Sequence, residues 1–332
     1  MSKVLVTGGA GYVGCVLVPK LLEAGYEVVV YDIMLFGSDG LPSHPKLQVI
    51  KGDIRDLASF VQALKGVTSV IHLACISNDP SFELDPGLSK SINYDCFEPL
   101  VIACKENGVR RFICASTSSV YGVSDAPEVT ETHPLVPLTD YNKYKGLTEP
   151  FLLRHQSPEF TTVVIRPATV CGYSPRMRLD LTVNILTNLA VNKGQITVFG
   201  GSQKRPNIHI EDIAELYVQL LEMPADLIAG ETFNAAYQNH TVSELADMVK
   251  KIVEQEMPEK APIEIVTTSS NDLRSYHVSS RKIREKLGYV PKRSVEDAIR
   301  GLCDAFKSDK LPNSLTDDHY VNVKVVKKRG IK

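Results

Sequence analysis

The segment Thr7-Gly8-Gly9-Ala10-Gly11-Tyr12-Val13-Gly14 constrains this chain more than any other. It follows the apolar run Val4-Leu5-Val6, which reads as a buried strand, and it opens a helical pattern that continues from about Tyr12 to Glu23. Glycines at 9, 11 and 14, and equally at 8, 11 and 14, permit a tight turn. They let the backbone come close to a pyrophosphate lying at the helix N-terminus. Gly14 lets the helix pack closely on the strand. A strand, a glycine turn and a helix in that order make the first unit of an α/β sheet.

The rest of the N-terminal half keeps the same rhythm. Glu27 to Tyr31, Leu47 to Ile50, Val70 to Leu73, Arg111 to Ala115 and Thr162 to Ile165 read as further strands. Between them fall helices over Asp56 to Leu64, over Leu88 to Asn107 with Gly108 as its stop, and from Tyr141 to about His155. Continuous apolar strands separated by helices predict a doubly wound parallel sheet, a Rossmann α/β fold covered on both faces. From about Pro167 the pattern changes, with helices near 180–192, 211–221, 242–253 and 295–307. The expected organisation is a dinucleotide-binding domain over 1–166, a smaller substrate lobe over 167–315 with some segments returning to the sheet, and a tail over 316–332. The basic run Lys324 to Lys332 is expected to be a solvated tail.

Asp32 ends the second strand about 20 residues after the glycine turn, where a carboxylate accepts hydrogen bonds from the adenosine ribose hydroxyls of a dinucleotide. It would repel a ribose phosphate, and no arginine lies near it in sequence, so NAD is favoured over NADP. The alternative is a structural glycine turn beside a solvated aspartate. Gly8, Gly11, Tyr12, Val13, Gly14, Asp32 and Ile33 are the cofactor-binding candidates from this region.

A second constellation lies downstream. Tyr141 and Lys145 are one helical turn apart on one face. A free phenol has a pKa near ~10 and is a weak base at neutral pH, whereas an adjacent cation lowers it toward a general base's range. The Ser/Thr cluster at 116–119 precedes this pair.

These segments resemble the extended short-chain dehydrogenase/reductases that act on nucleotide sugars, from residue 3 to about 310. The shared landmarks include Gly52-Asp53-Ile54, His72-Leu73-Ala74, Ile92-Asn93, Ser116-Thr117-Ser118-Ser119-Val120-Tyr121-Gly122, Ile165-Arg166-Pro167 and Arg205 to Asp212. The resemblance implies that Asp53 and Ile54 contact the adenine, Leu73 and Ala74 line the cofactor cleft, and Asn93 supports it. By the same resemblance Lys145 should also bind the nicotinamide ribose, and Thr117 should hydrogen-bond the reacting sugar oxygen beside Tyr141. Arg205 and Arg274 are candidates for the substrate diphosphate, where a guanidinium suits bidentate binding, and Asn184 is a further candidate substrate contact. Arg176 and Arg178 either reach a phosphate or sugar or are solvated. His209, Tyr121 and Tyr144 read as structural, and Cys75 and Cys171 as packing residues.

Departures from the family narrow the chemistry. Members that eliminate water carry Asp-Glu directly after the catalytic threonine, where this chain has Ser118 and Ser119. Those that epimerise at C3 and C5 carry a cysteine where this chain has Ser119. Reversible oxidation of a sugar hydroxyl, most often at C4, is what survives. It ends either in a 4-epimerase through a 4-keto intermediate or in a 4-dehydrogenase; a catalytically silent NAD-binding scaffold or redox sensor is the alternative.

The formal net charge of −2 gives no sign of a nucleic-acid or membrane partner. The seven cysteines form no Cys-x-x-Cys pair and cluster with no histidine, so a metal site is not expected and a reduced, cytoplasmic protein is. The helices around 88–107 and 140–155 are expected to pair in a homodimer, by the same resemblance.

Overall fold

The computed structural model describes residues 2–269 and 275–331. In chain order the strands are β1 (Lys3–Thr7), β2 (Glu27–Asp32), β3 (Leu47–Lys51), β4 (Ser69–His72), β5 (Arg111–Ala115), β6 (Thr161–Pro167), β7 (Thr169–Cys171), β8 (Gln195–Phe199), β9 (Lys204–His209), β10 (Glu231–Ala235), β11 (Gln238–Thr241) and β12 (Glu264–Thr268). Seven of them form one parallel sheet in the order β10-β6-β5-β4-β1-β2-β3. The order reverses between β1 and β4, so a crevice opens beyond their carboxyl ends, where doubly wound sheets bind ligands.

Alternate residues of each strand supply two cores. Val4, Val6, Val28, Val30, Ile71, Ile113, Val163 and Phe233 face helices Gly14–Glu23 and Ile210–Glu222. Leu5, Val29, Tyr31, Val70, Phe112 and Val164 face helices Leu57–Ala63, Phe97–Glu106 and Asp140–Arg154. Because both faces are covered, the inner strands β1, β2, β4 and β5 carry runs of buried apolar residues, whereas the edge strand β3 is largely exposed. A third core lies among helices Thr182–Lys193, Val242–Glu256 and Val295–Lys307 and the pair β8–β12. β10 pairs with β6 at the edge of the main sheet.

Two segments differ from expectation. The helix expected over 88–107 is Pro86–Lys90, a wider π-helical turn at Ser91–Asp95, and then Phe97–Glu106. Such bulges change the direction of a side chain within a helix and recur at functional sites. Here the bulge carries Asn93. The basic C-terminal run is not solvated throughout. Asn322–Arg329 is a helix whose Asn322 and Val325 are buried, because valines at 325 and 326 interrupt the lysines and give the helix an apolar side.

Candidate active site

The glycine turn closes against the loop that follows β4. Gly8 has φ +70, and a Cβ there would stand 2.7 Å from the Ala74 amide nitrogen. At Gly14 a Cβ would meet the Gly9 carbonyl oxygen at 2.3 Å. Neither position tolerates a side chain without moving backbone. Together they keep the start of helix Gly14–Glu23 open to the crevice.

A single cleft is lined by Gly8, Gly11, Tyr12, Val13 and Gly14, by Asp32 and Ile33, by Asp53 and Ile54, and by Leu73 and Ala74. Every one of these cofactor candidates is thus brought together by the fold. Asp32 accepts from the Ala10 amide at 3.0 Å and from the Met34 amide at 2.7 Å. Burial raises its pKa, and those two amides oppose the rise. Burial also acts against ionised Asp53, but the Arg55 side chain, 2.6 Å away, holds that carboxyl below its ordinary value. Asn93 lies behind the cleft, where it accepts from the Ile76 amide at 2.8 Å and donates to the Ile76 carbonyl at 3.0 Å. It therefore positions the loop after β4 and does not line the cleft itself.

Tyr141 and Lys145 sit in the first two turns of helix Asp140–Arg154, which is capped by the Thr139 hydroxyl. Lys145 is buried, and its Nζ donates to the Ala115 carbonyl at the end of β5. The expected lowering of the Tyr141 pKa is not found in this geometry. Burial pushes the phenol well up, Cys75 and Asp79 add to the rise, and the cation opposing it is Arg178. The physical reason is that Lys145 turns to a backbone carbonyl, so spacing alone did not decide where its charge acts. Thr117 caps the short turn Ser118–Tyr121, its Oγ1 accepting from the Ser119 amide at 3.2 Å. The Ser119 hydroxyl lies 3.1 Å from that of Tyr276, which no sequence signal singled out.

The remaining candidates separate. Asn184 is sealed at the junction between glycine turn and lobe, where it donates to the Tyr12 hydroxyl and the Arg178 carbonyl and accepts from the Gly172 amide. With its amide used and no exposed surface, it does not line the cleft. Arg205 lies on β9, away from the cleft lining, and its Nη1 donates to the Lys204 carbonyl. Arg274 lies outside the described residues. Tyr121 is buried and donates to Asn234, and Tyr144 is half-buried, stacked on Phe82.

Arg176 and Arg178 are both buried and both line the cleft. Arg178 pairs with Asp180 at 2.9 Å. Arg176 lies 3.6 Å over the Phe36 ring and close enough to Asp32 to oppose its rise in pKa. The inference that no arginine approaches Asp32 therefore holds along the chain but not in space. Burial, and then Arg178, push Arg176 down to about 9, which leaves it charged at neutrality. Arg176 is a candidate from sequence, but only tertiary structure could bring it to Asp32, because 144 positions separate the two (176 − 32).

Among the described residues no His/Cys/Asp/Glu group is arranged to hold a metal ion. No described helix is long and apolar enough to cross a membrane.

A dinucleotide cleft beside a Tyr-x-x-x-Lys helix is the arrangement of the extended short-chain dehydrogenase/reductases. Within that class, the chain belongs to the NAD dependent epimerase/dehydratase family, whose signature matches residues 4–236. UDP-glucose 4-epimerase of Bacillus subtilis (strain 168) is 26% identical over 321 residues, covering 89% of this chain and 94% of that protein. The crystal structure of UDP-glucose 4-epimerase with UDP-glucose from Thermotoga maritima is 26% identical with a TM-score of 0.82, over 92% of this chain and 99% of that one. MoeE5 in complex with UDP-glucuronic acid and NAD is 25% identical with a TM-score of 0.80, over 93% and 100%. The cofactor of this family is NAD, and the sterically closed Gly8 turn and the Asp32 carboxylate fit it.

Proposed function

We propose that the protein oxidises the C4 hydroxyl of a nucleotide-diphosphate sugar, with Tyr141, Thr117 and Lys145 as its working residues. The observation that carries this reading is the placement of the Tyr141 helix and the Thr117 turn at the carboxyl end of the sheet that bears the cofactor cleft. NAD, when bound, supplies the acceptor for the hydride. Gly8 to Gly14 would cradle its phosphates, and Asp32 its adenosine ribose. Tyr141 removes the hydroxyl proton, Thr117 orients the oxygen, and Lys145 would hold the nicotinamide ribose. The contribution of the protein is orientation and electrostatics.

Ser118 and Ser119 do not titrate in the useful range, which speaks against elimination of water. The solved relatives that hold UDP-sugars support a uridine diphosphate substrate. We place the protein in a reducing cytoplasm, a reading supported by its seven free cysteines. A homodimer through helices Phe97–Glu106 and Asp140–Arg154 is supported by Ile102 and Leu147, which stand exposed on them.

Incubation with UDP-, GDP-, dTDP- and CDP-sugars, followed by NMR, tests the reading. A new 4-epimer without lasting nicotinamide reduction indicates the epimerase, and a lasting rise in reduced-nicotinamide absorbance indicates the dehydrogenase. Silence across the whole panel would instead favour a non-catalytic scaffold.

The Asp32→Ala variant should raise the Kd for NAD by roughly 10- to 100-fold, as expected for lost hydrogen bonds to a charged group. NADP should lose far less, because the same change removes a repulsion and leaves Arg176 in place. Equal losses for the two cofactors, measured by titration calorimetry, would refute the ribose contact.

A further inference from the structure

We propose that the C-terminal segment 318–331 is the outer wall of the dinucleotide site, tied across it by Asn322 and Arg329, and that it holds the cofactor against exchange. This rests on the reading of the cleft as the NAD site. Asn322, Val326 and Ile331 line the same cleft as the glycine turn and Asp32. Val326 and Ile331 belong to the run Lys324 to Lys332 that the sequence alone suggests is a solvated tail.

The segment is fastened on both banks. On the sheet side, Arg329 Nη1 donates to the Leu35 carbonyl at 2.6 Å, and Asn322 Nδ2 to the Ser77 hydroxyl at 2.8 Å. Leu35 follows β2 and Ser77 follows β4, so the two cofactor-side loops are bridged by one helix. On the lobe side, Arg176 Nη2 donates to Asn322 Oδ1 at 2.5 Å, and the Asn322 amide donates to Asp180 at 3.2 Å. The Leu179 amide donates to the Tyr320 carbonyl at 2.9 Å. Asn322 is 4% exposed, and its side-chain amide is used at both ends.

Arg176 gives the wall a reason to sense the cofactor. Its guanidinium is buried, makes no ion pair among the described residues, and has an Nε without a partner. A buried cation of this kind is stabilised by an anion, and the phosphates of a dinucleotide supply one. The same guanidinium that holds Asn322 therefore faces the ligand, so wall and cofactor stabilise each other.

A closed wall has a consequence for the reaction. The hydride taken from C4 and the proton taken from its hydroxyl would remain available to return to that carbon and that oxygen, and no external oxidant would be consumed. Retention thus favours isomerisation over release of a ketone.

The test is displacement of bound NADH by excess NAD, followed by stopped-flow fluorescence in the full chain. Asn322→Ala and Arg329→Ala should each speed NADH release, Asn322→Ala by about tenfold or more, a factor that corresponds to roughly 1.4 kcal/mol. Release at the wild-type rate in both variants overturns the proposal. Hydrogen exchange on the unmodified protein gives an answer independent of mutation. The amides of 320–331 should gain protection when NADH is added, and no gain there also overturns it. Failure of the unmodified protein to bind NADH would instead sink the reading of the cleft itself.

Discussion

The Tyr141→Phe variant should bind NAD as tightly as the unmodified protein and turn over about 10²- to 10⁴-fold more slowly, the usual contribution of a positioned acid–base group. Only the hydroxyl is removed, and the ring keeps its packing in the helix Asp140–Arg154. Binding is expected to survive because the glycine turn, Asp32 and Asp53 are untouched. Turnover should also carry a pH signature. Burial, Cys75 and Asp79 raise the phenol, so the base form is gained as pH rises, and the rate of the unmodified protein should climb on the alkaline side. The residual rate of the variant should lack that climb. Turnover close to wild type in Tyr141→Phe, measured by NMR of the product, would remove Tyr141 from the mechanism.

Glu149→Ala should be strongly destabilising, by about 3–5 kcal/mol, because it leaves a buried guanidinium without its partner. Glu149 and Arg166 are 4% and 6% exposed at their side chains and meet at 2.6 Å. Glu149 also accepts from the Ser116 hydroxyl at 2.5 Å. Arg166 donates to the Tyr121 hydroxyl at 2.7 Å, which in turn donates to Asn234 at 2.7 Å. One polar network therefore joins helix Asp140–Arg154 to β6, β10 and the turn that carries Thr117. Glu149 is one helical turn beyond Lys145, so the network also fixes the helix that presents the reacting phenol. Chemical denaturation checks the expectation. A double change to Glu149→Leu and Arg166→Met should be less damaging than Glu149→Ala, since no charge is then left buried and unpaired. A loss under ~1 kcal/mol for Glu149→Ala, the range of an exposed pair, would show that the network carries little.

The N-terminal half was legible because its signals are local. Buried parallel strands are short apolar runs, and the glycine turn must be glycine for steric reasons that involve its own neighbours in the loop. Gly8 to Gly14, Asp32, Asp53, Leu73 and Ala74 follow strand ends, and the parallel sheet necessarily brings strand ends together. Their convergence in one cleft was readable for that reason. The helical span 88–107 is legible from its local pattern, but its break at the π-helical turn is not, and Asn93 in that turn meets the distant backbone of Ile76.

What escaped the sequence were contacts between distant segments. Whether Lys145 turns to Tyr141 or to the Ala115 carbonyl depends on where β5 ends, and helical spacing does not contain that information. Asn184 looked available for substrate, yet its burial is decided by Tyr12 and Gly172. Arg176 and the helix Asn322–Arg329 could be placed beside Asp32 only after the whole chain had folded. Periodicity and backbone sterics act within a few residues, and they determined the sheet, the glycine turn and the Tyr-x-x-x-Lys helix. The electrostatic setting of Tyr141, the buried Arg176 and the C-terminal wall arise from desolvation and pairing across the fold. Those depend on three-dimensional distance, which the order of residues along the chain does not express.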